Sequence, residues 1–359
     1  MTRTWQRWLP AGLVPAIIAA GALVGSAQAG AVVNLPDTTP EQVLAMVGQN
    51  PVQALSGTLE QTAQLGLPQL PTGGPSASSD AASVLDLLTG SHTARVYQDG
   101  PTSFRGQVMD QLAERDVVRH GTDVWVYSSQ DNTATHVTLP TDDTGTDPAV
   151  QGDVPTPAQL AHQFLTTIDP STQVTVGRDT TVAGRTAYDL VLMPRGADTL
   201  VGSVSIAVDS ETGLPLRVEV QARGQHKPAF QLAFTALTLR TPAADRFQFV
   251  PPPGATVREQ ALPVRPPKQA RPAPSGLPSR PPVAQPTVSG TGWDAVLEVP
   301  VAASPPQLSS SPLRTEVTRA VRGGRLLHTA LVNMLLTDDG RVFAGSVPVE
   351  RLQAAAARP

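Results

Sequence analysis

The chain has no cysteine among its 359 residues. Disulfide bonds, thiolate metal ligands and a cysteine nucleophile are therefore excluded, and so is a lipoprotein anchor that needs a cysteine thioether. Aromatic residues make up 4% and charged residues 16% of the chain, the latter below the roughly 25% of an average globular protein. The 26 basic and 30 acidic residues nearly cancel, so the strongly basic face of a nucleic-acid-binding protein is not predicted.

Known catalytic and metal-binding motifs are also missing. There is no GxSxG elbow, no P-loop and no GxGxxG. The six histidines show no HxH or HExxH spacing: His92, His120, His136, His162, His226 and His328. Asp189, Asp209 and Glu211 offer carboxylates, but Asp209 and Glu211 lie in a predicted turn, where acids bind backbone N–H groups. We therefore predict no enzymatic activity, no cofactor and no metal, and an unfamiliar hydrolase site stays an alternative.

The first 31 residues have the pattern of an export signal. Arg3 and Arg7 precede an apolar run from Leu9 to Val24, and Ala27-Gln28-Ala29 follows as a small-residue cleavage motif. The segment predicts an extracytoplasmic location, either secreted after cleavage or held at the cell surface by an uncleaved anchor. Pro10, Pro15 and an apolar length short of the roughly 20 residues of a spanning helix favour cleavage.

The most regular pattern is a two-residue alternation of apolar and other residues between positions 204 and 234. Apolar residues occupy every second position in three runs: Val204, Ile206 and Val208; Leu216, Val218 and Val220; Phe230, Leu232 and Phe234. This period predicts strands with one buried face, and the polar loop from Asp209 to Gly213 predicts a hairpin between the first two. The apolar positions then shift to Leu237 and Leu239, which predicts a β-bulge near Thr235 or Ala236.

Shorter patterns surround this hairpin. Thr39-Pro40-Glu41 and Thr156-Pro157 are helix starts and predict helices over 39–49 and 157–168, and residues 80–88 form a third candidate helix. A strand is predicted at 56–63, and several short strands separated by turn residues are predicted from Ser91 to Leu139. We expect a curved antiparallel sheet over which the helices can lie. From periodicity alone, a ligand cavity and an ordinary filled core remain equally good interpretations.

Proline marks the boundary between two domains. Residues 251–288 hold 12 of the 36 prolines, which predicts an extended, basic linker. We predict four parts: an export segment at 1–31, a β-domain at 36–257, the linker at 258–290 and a small C-terminal α/β module at 291–359. In that module we expect a strand over 293–299, a hairpin turning at Thr337-Asp338-Asp339-Gly340 and a helix from about Val349.

Three stretches resemble one protein family. Ser203 to Val220 (SVSIAVDSETGLPLRVEV), Thr181 to Arg195 (TVAGRTAYDLVLMPR) and Arg246 to Val257 (RFQFVPPPGATV) resemble consecutive strands of the LolA/LolB lipoprotein-carrier superfamily. The likeness is to the exported actinobacterial branch, which is related to the N-terminal domain of the RseB/MucB sigma-factor regulators. It covers about residues 36 to 257.

The resemblance implies a mainly β (α+β) fold: an incomplete antiparallel β-barrel with a helical lid and a cavity for acyl chains. The candidate lining residues are Tyr188, Leu190, Leu192, Val204, Ile206, Val208, Leu216, Val218, Phe230, Leu232 and Phe234. The candidate lid residues are Val43, Met46, Leu160 and Phe164. The counterpart of the carriers' lid-latching arginine is not identifiable from the sequence.

Two functions follow as expectations. The first is a non-catalytic carrier or chaperone that binds a lipid or an acylated lipoprotein. The second is a regulator that binds a membrane anti-sigma factor or an ABC transporter through its C-terminal module.

Overall fold

The computed structural model describes residues 34–66, 90–109, 114–139, 155–261, 286–300 and 318–358. The predicted export segment and the predicted helix at 80–88 lie outside these ranges. Within them the chain is mainly β, with two sheets and three α-helices. None of the helices in these ranges is long and apolar enough to cross a bilayer.

The first sheet contains thirteen strands and is not closed into a barrel. Its strands are β1 (Ala54–Ala63), β2 (Gly90–Asp99), β3 (Ser103–Met109), β4 (Glu114–His120), β5 (Asp123–Ser128), β6 (Thr133–Thr138), β7 (Thr172–Val176), β8 (Thr180–Val182), β9 (Arg185–Pro194), β10 (Val201–Asp209), β11 (Pro215–Ala222), β12 (Pro228–Thr238) and β13 (Thr256–Ala261). The order is β13-β6-β5-β4-β3-β2-β1-β12-β11-β10-β9-β7, with β8 also on β9. All pairs are antiparallel except β13 with β6.

Bulges give this sheet its curvature. Leu59 pairs with Phe234 whereas Thr58 pairs with Ala236, so Thr235 is the extra residue on β12. The predicted bulge is confirmed, and it lets Leu237 pack with the same apolar cluster as Phe234. A second register shift lies between Ala207 and Val208, beside the β10–β11 turn. Each bulge increases the local bend of its strand, which is why the apolar face is curved.

Two helices begin with the same capping arrangement. In α1 (Pro40–Gly48) the Thr39 hydroxyl accepts the N–H of Gln42, while the Gln42 side chain accepts the N–H of Thr39. Thr156 and Gln159 repeat this capping box for α2 (Pro157–Thr166). A proline follows each cap at the first helical position, where its missing N–H has no cost. The two predicted helices are confirmed, and α2 ends two residues earlier than expected.

The second sheet holds six strands and carries the third helix. Its strands are β14 (Thr287–Ser289), β15 (Val296–Val299), β16 (Arg319–Val321), β17 (Gly324–His328), β18 (Asn333–Thr337) and β19 (Val342–Gly345). The helix is α3 (Val349–Ala356). The order is β14-β15-β19-β18-β17-β16. Leu326, Leu335, Phe343 and Leu352 form a core between one face of this sheet and α3. The predicted hairpin turn ending at Gly340 and the helix from Val349 are confirmed.

Two local expectations are wrong. Trp293 lies in a 3-10 turn (Gly292–Asp294), and only Val296–Val299 is a strand. Phe247 ends another 3-10 turn (Ala244–Phe247), and Phe249 lies outside any strand, so the likeness of this stretch to a terminal strand fails locally. Strand β13 reaches four residues into the predicted linker, and β14 begins three residues before that linker ends. The domain boundaries therefore remain a prediction.

The two sheets contact each other through polar groups. The backbone N–H of Leu200 and the hydroxyl of Thr199 both donate to the carbonyl of Ser346, at 2.8 Å each. The indole N–H of Trp293 donates to the Thr172 hydroxyl at 2.9 Å. These bonds hold the second sheet beside the β7–β9 edge of the first.

Replacing Trp293 by phenylalanine should lower the free energy of unfolding by about 1 kcal/mol, because one partly buried hydrogen bond is lost. Thr172→Val removes the acceptor instead. The cost of the double variant should be smaller than the sum of the two single costs, as measured by urea denaturation of the full chain. Strict additivity would contradict a bond between the two sheets.

Candidate functional site

The predicted lining residues share one face of the first sheet. Leu190 pairs with Ile206, Ile206 with Val218, and Val218 with Leu232. Directly paired residues project to the same side of a sheet, and residues two apart on a strand do likewise. We call the face that carries these four residues the inner face. It continues across β1 and β2 through Leu59 and its partner Ala94.

The inner face is closed in this conformation. Leu190, Leu192, Val204, Ile206 and Val218 have no solvent-exposed surface, and the same is true of Leu216 and Val208. Leu232, Phe234 and Tyr188 are also buried, and Phe230 is half-buried. Side chains that line an open, acyl-sized cavity would retain accessible surface. The structure therefore places protein atoms where the cavity interpretation requires a ligand, and a ligand could enter only if part of this packing moved.

The two capped helices supply part of that packing. Helix α2 lies against β11 and β12, and its Ala158 and Leu160 pack on the cluster that contains Leu216 and Leu232. Helix α1 lies against β7 and β9, with Val43 fully buried. Of the other predicted lid residues, Met46 and Phe164 are half-buried. Whether these residues act as a lid remains a prediction.

A close contact joins α1 to the β10–β11 turn. Gly213 has φ +73°, and a Cβ built there would lie 2.2 Å from the carbonyl oxygen of Met46. Only glycine combines this positive φ with such close approach of two backbones. The turn therefore fixes the C-terminal end of α1 in the position that covers the sheet.

Asp209 organises the same turn from inside. Its carboxylate, which has no exposed surface, accepts the backbone N–H groups of Glu211 and Thr212 at 2.9 Å. It also forms an ion pair with Arg185, whose guanidinium additionally binds Glu211. The prediction that Asp209 serves local hydrogen bonds is confirmed. Burial alone would raise the pKa of Asp209, but the hydrogen bonds from Arg185, Thr212 and Glu211 together hold this pKa below its ordinary value.

The opposite, outer face carries polar and aromatic groups on its β2–β6 side. Arg105 forms a bidentate pair with the buried Asp116 and also donates to the carbonyl of Arg246. Burial raises the pKa of Asp116 despite the lowering effect of Arg105. Trp125 stacks on His136 with ring centroids 4.4 Å apart, and Phe249 packs beside Trp125. The 244–250 segment therefore covers the outer face and does not form a strand.

His136 connects the edge strand β13 to the sheet. One ring nitrogen lies 2.9 Å from Glu259 on β13 and the other lies 3.0 Å from Asp123 on β5. Among the residues that the structure describes, no group of three histidine, aspartate or glutamate side chains is arranged to hold a metal ion. These contacts give His136 a role in strand pairing.

Sequence reasoning missed one charged residue on the inner face. Arg119 on β4 pairs with Phe104 on β3 and with Val124 on β5, and only 2% of its surface is exposed. The signal was present in the strand Glu114–His120 (ERDVVRH), where polar residues occupy both alternating sets of positions. A strand with one solvent-exposed face does not ordinarily carry an arginine on its buried face, so the position of Arg119 is unusual.

An open, curved antiparallel sheet whose apolar face is covered by two capped helices is the architecture of LolA-type half-barrel proteins. Residues 89–253 match the family model described as the MucB/RseB N-terminal domain. The predicted likeness to the MucB/RseB N-terminal domain is therefore confirmed over these residues, which span β2 to β12. A search of the curated proteins finds no match.

Solved structures give further likenesses. The MucA/MucB complex of Pseudomonas aeruginosa is 17% identical with a TM-score of 0.42, over 89% of this chain and 98% of that one. An uncharacterized conserved protein of Thermus thermophilus is 12% identical with a TM-score of 0.35, over 61% and 98% of the two chains. A LolA superfamily protein of Nitrosomonas europaea is 12% identical with a TM-score of 0.25, over 59% and 99%. At these TM-scores no residue correspondence follows.

Proposed function

We propose that this protein is an extracytoplasmic, non-catalytic binding protein that holds the acyl chain of a lipid or lipoprotein against the inner face. The observation that carries the proposal is the continuous apolar surface that β9–β12 and β1 build in register under two separately capped helices. Each of the two helices has its own N-terminal capping box and proline, so each forms a separate unit on the sheet.

The closed inner face defines how binding would work. A bound acyl chain would take the place of helix side chains on the inner face, and not of water. The favourable contribution to the binding free energy is therefore the burial of the acyl chain itself, about 0.8 kcal/mol for each methylene. Ten methylenes give about 8 kcal/mol, which corresponds to micromolar affinity before ordering costs. Displacing α1 or α2 reduces this figure, because only the opened population binds. We therefore expect slow uptake that depends on helix packing.

The direct test is extraction of protein purified from its native host with organic solvent, followed by mass spectrometry of the extract. In parallel, the delipidated full chain is mixed with N-phenyl-1-naphthylamine, a neutral apolar dye that fluoresces when buried. We expect a co-purified acylated compound and slow dye uptake. Absence of both would contradict the proposal.

A matched pair of variants on α2 tests the helix as a lid. Leu160→Ala removes packing on the inner-face cluster, whereas Gln163→Ala changes an exposed position of the same helix. Dye uptake should be several-fold faster in the first variant and unchanged in the second, because opening costs less when buried methylenes are removed. Equal rates in both variants would mean that α2 does not gate the inner face.

A second candidate function is regulation through a protein partner. The match of residues 89–253 to the MucB/RseB N-terminal domain favours it, and one related structure is described as MucB in complex with MucA(peri). For this chain the partner would be a membrane anti-sigma factor or a transporter. Deleting residues 262–359 keeps β13 and should abolish binding to such a partner, whereas uptake of the dye should persist. Loss of both properties together would contradict two separable modules.

A further inference from the structure

Within the described part of the chain, Arg119 is a buried cation with no ion-pair partner. Its Nε donates to the carbonyl of Gly121 at 3.1 Å, whereas Nη1 is buried and makes no hydrogen bond. Among the described residues, no carboxylate forms an ion pair with this guanidinium. A buried arginine is ordinarily paired, because an uncompensated charge in the interior is strongly unfavourable. This side chain therefore has the capacity to bind an anion.

The nearby acids are used on the other side of the sheet. Asp116 is three residues from Arg119 on the same strand, so it projects to the outer face, where it binds Arg105. Asp123 on β5 contacts His136, which stacks on Trp125 of the outer face. Both of these described acids near β4 therefore contact partners other than Arg119.

The position of Arg119 on the inner face suits the end of an acyl chain. Phe104 and Val124 flank it on the neighbouring strands, and Val117, Val124 and Leu139 form an apolar cluster there. Strands β4 and β12 are four steps apart in the sheet, a path of about 19 Å along its surface at the usual spacing of neighbouring strands. This path is comparable in length to an extended palmitoyl chain.

We propose that Arg119 recognises the anionic head of a single-chain amphiphile, carboxylate or phosphate, whose acyl chain runs along the inner face towards β12. The inference rests on the proposed acyl-chain binding and specifies the ligand class. A guanidinium offers two parallel N–H donors to a carboxylate or a phosphate, and the low polarity around it strengthens that interaction. A neutral head would leave Nη1 unpaired, so the site discriminates by charge.

The test compares three ligands below their critical micelle concentrations: palmitate, palmitoyl lysophosphatidate and 1-monopalmitoylglycerol. Each displaces N-phenyl-1-naphthylamine from the full-length protein. The two anionic ligands should bind about ten- to hundred-fold more tightly than the neutral one, the effect of a hydrogen bond to a charged group. The more tightly bound anion identifies a fatty acid or a phosphate-bearing lipid as the source. Equal affinity for all three would overturn the inference while leaving acyl-chain binding intact, and no dye uptake or displacement would overturn both.

Variants at position 119 separate recognition from stability. Arg119→Met should abolish the preference for anions, keep the binding of monopalmitoylglycerol, and leave the thermal midpoint of the ligand-free protein equal or higher, since an unpaired buried charge is removed. Arg119→Lys should keep part of the preference because the charge remains. Arg195→Met, at an exposed arginine, should change nothing. An unchanged preference for anions in Arg119→Met would show that Arg119 serves the fold alone.

Discussion

Replacing Asp209 by alanine should lower the free energy of unfolding by about 3 kcal/mol, near the lower end of the range for breaking a buried ion pair. Asp209 has no exposed surface, and its removal leaves two turn N–H groups without their acceptor and leaves Arg185 with Glu211 as its remaining carboxylate partner. Arg185 keeps some contact with solvent, which moderates the loss. Urea denaturation of the full chain at neutral pH measures the effect.

Glu211 provides the matched control. Its carboxylate also binds Arg185 but is 76% exposed, so Glu211→Ala should cost less than about 1 kcal/mol. Similar costs for the two variants would mean that the turn is held by its backbone alone and that Asp209 has no special role.

The contribution of Asp209 should also depend on pH. Because the pKa of Asp209 is lower in the folded protein than in the unfolded chain, its stabilisation is fully present above the unfolded value of about 3.9 and is lost as the pH falls through the folded value. The difference in unfolding free energy between wild type and Asp209→Asn should therefore narrow as the pH is lowered from neutral through that range. The contribution of Asp116 to stability depends on pH with the opposite sign, because its pKa is raised in the folded protein. A difference that widens on acidification would contradict this assignment.

The features predicted correctly from sequence are those encoded by neighbouring residues. The cap at Thr39, the turn ending at Gly213 and the bulge at Thr235 each depend on a few consecutive side chains. The missed features depend on distant partners. Strand β13 is charged and follows a run of prolines, and only parallel pairing with β6 makes it a strand. Trp293 has a strand-like neighbourhood but forms a turn whose indole reaches Thr172.

The features of the candidate site also divide into those that neighbouring residues encode and those that depend on distant partners. Alternation was enough to place Leu190, Ile206 and Val218 on one face, because a strand has only two faces. It could not decide between a cavity and a filled core, since that depends on how closely α1 and α2 approach the sheet. Arg119 lay within a strand of mixed polarity, and its burial depends on the packing of the whole face. The alternation therefore defines the surface, and the structure shows that it is closed.

The contact between Gly213 and Met46 allows the closed state to be perturbed directly. Gly213→Ala should destabilise the protein by about 1–2 kcal/mol through its positive φ, and by roughly 1–3 kcal/mol more because the new Cβ would overlap the Met46 carbonyl. The overlap can be relieved only if the end of α1 moves off the turn. The variant should therefore take up N-phenyl-1-naphthylamine faster than wild type.

Gly224→Ala is the control that separates the overlap with Met46 from the backbone strain. Gly224 has a similar φ of +77°, but nothing lies within 4 Å of a Cβ built there, so this variant carries the backbone strain without the overlap. It should lose only about 1–2 kcal/mol and should bind the dye at the wild-type rate. If the two variants lose equal stability and show equal uptake, the position of α1 does not control access to the inner face. If only Gly213→Ala gains uptake, the β10–β11 turn is the latch that keeps the half-barrel closed.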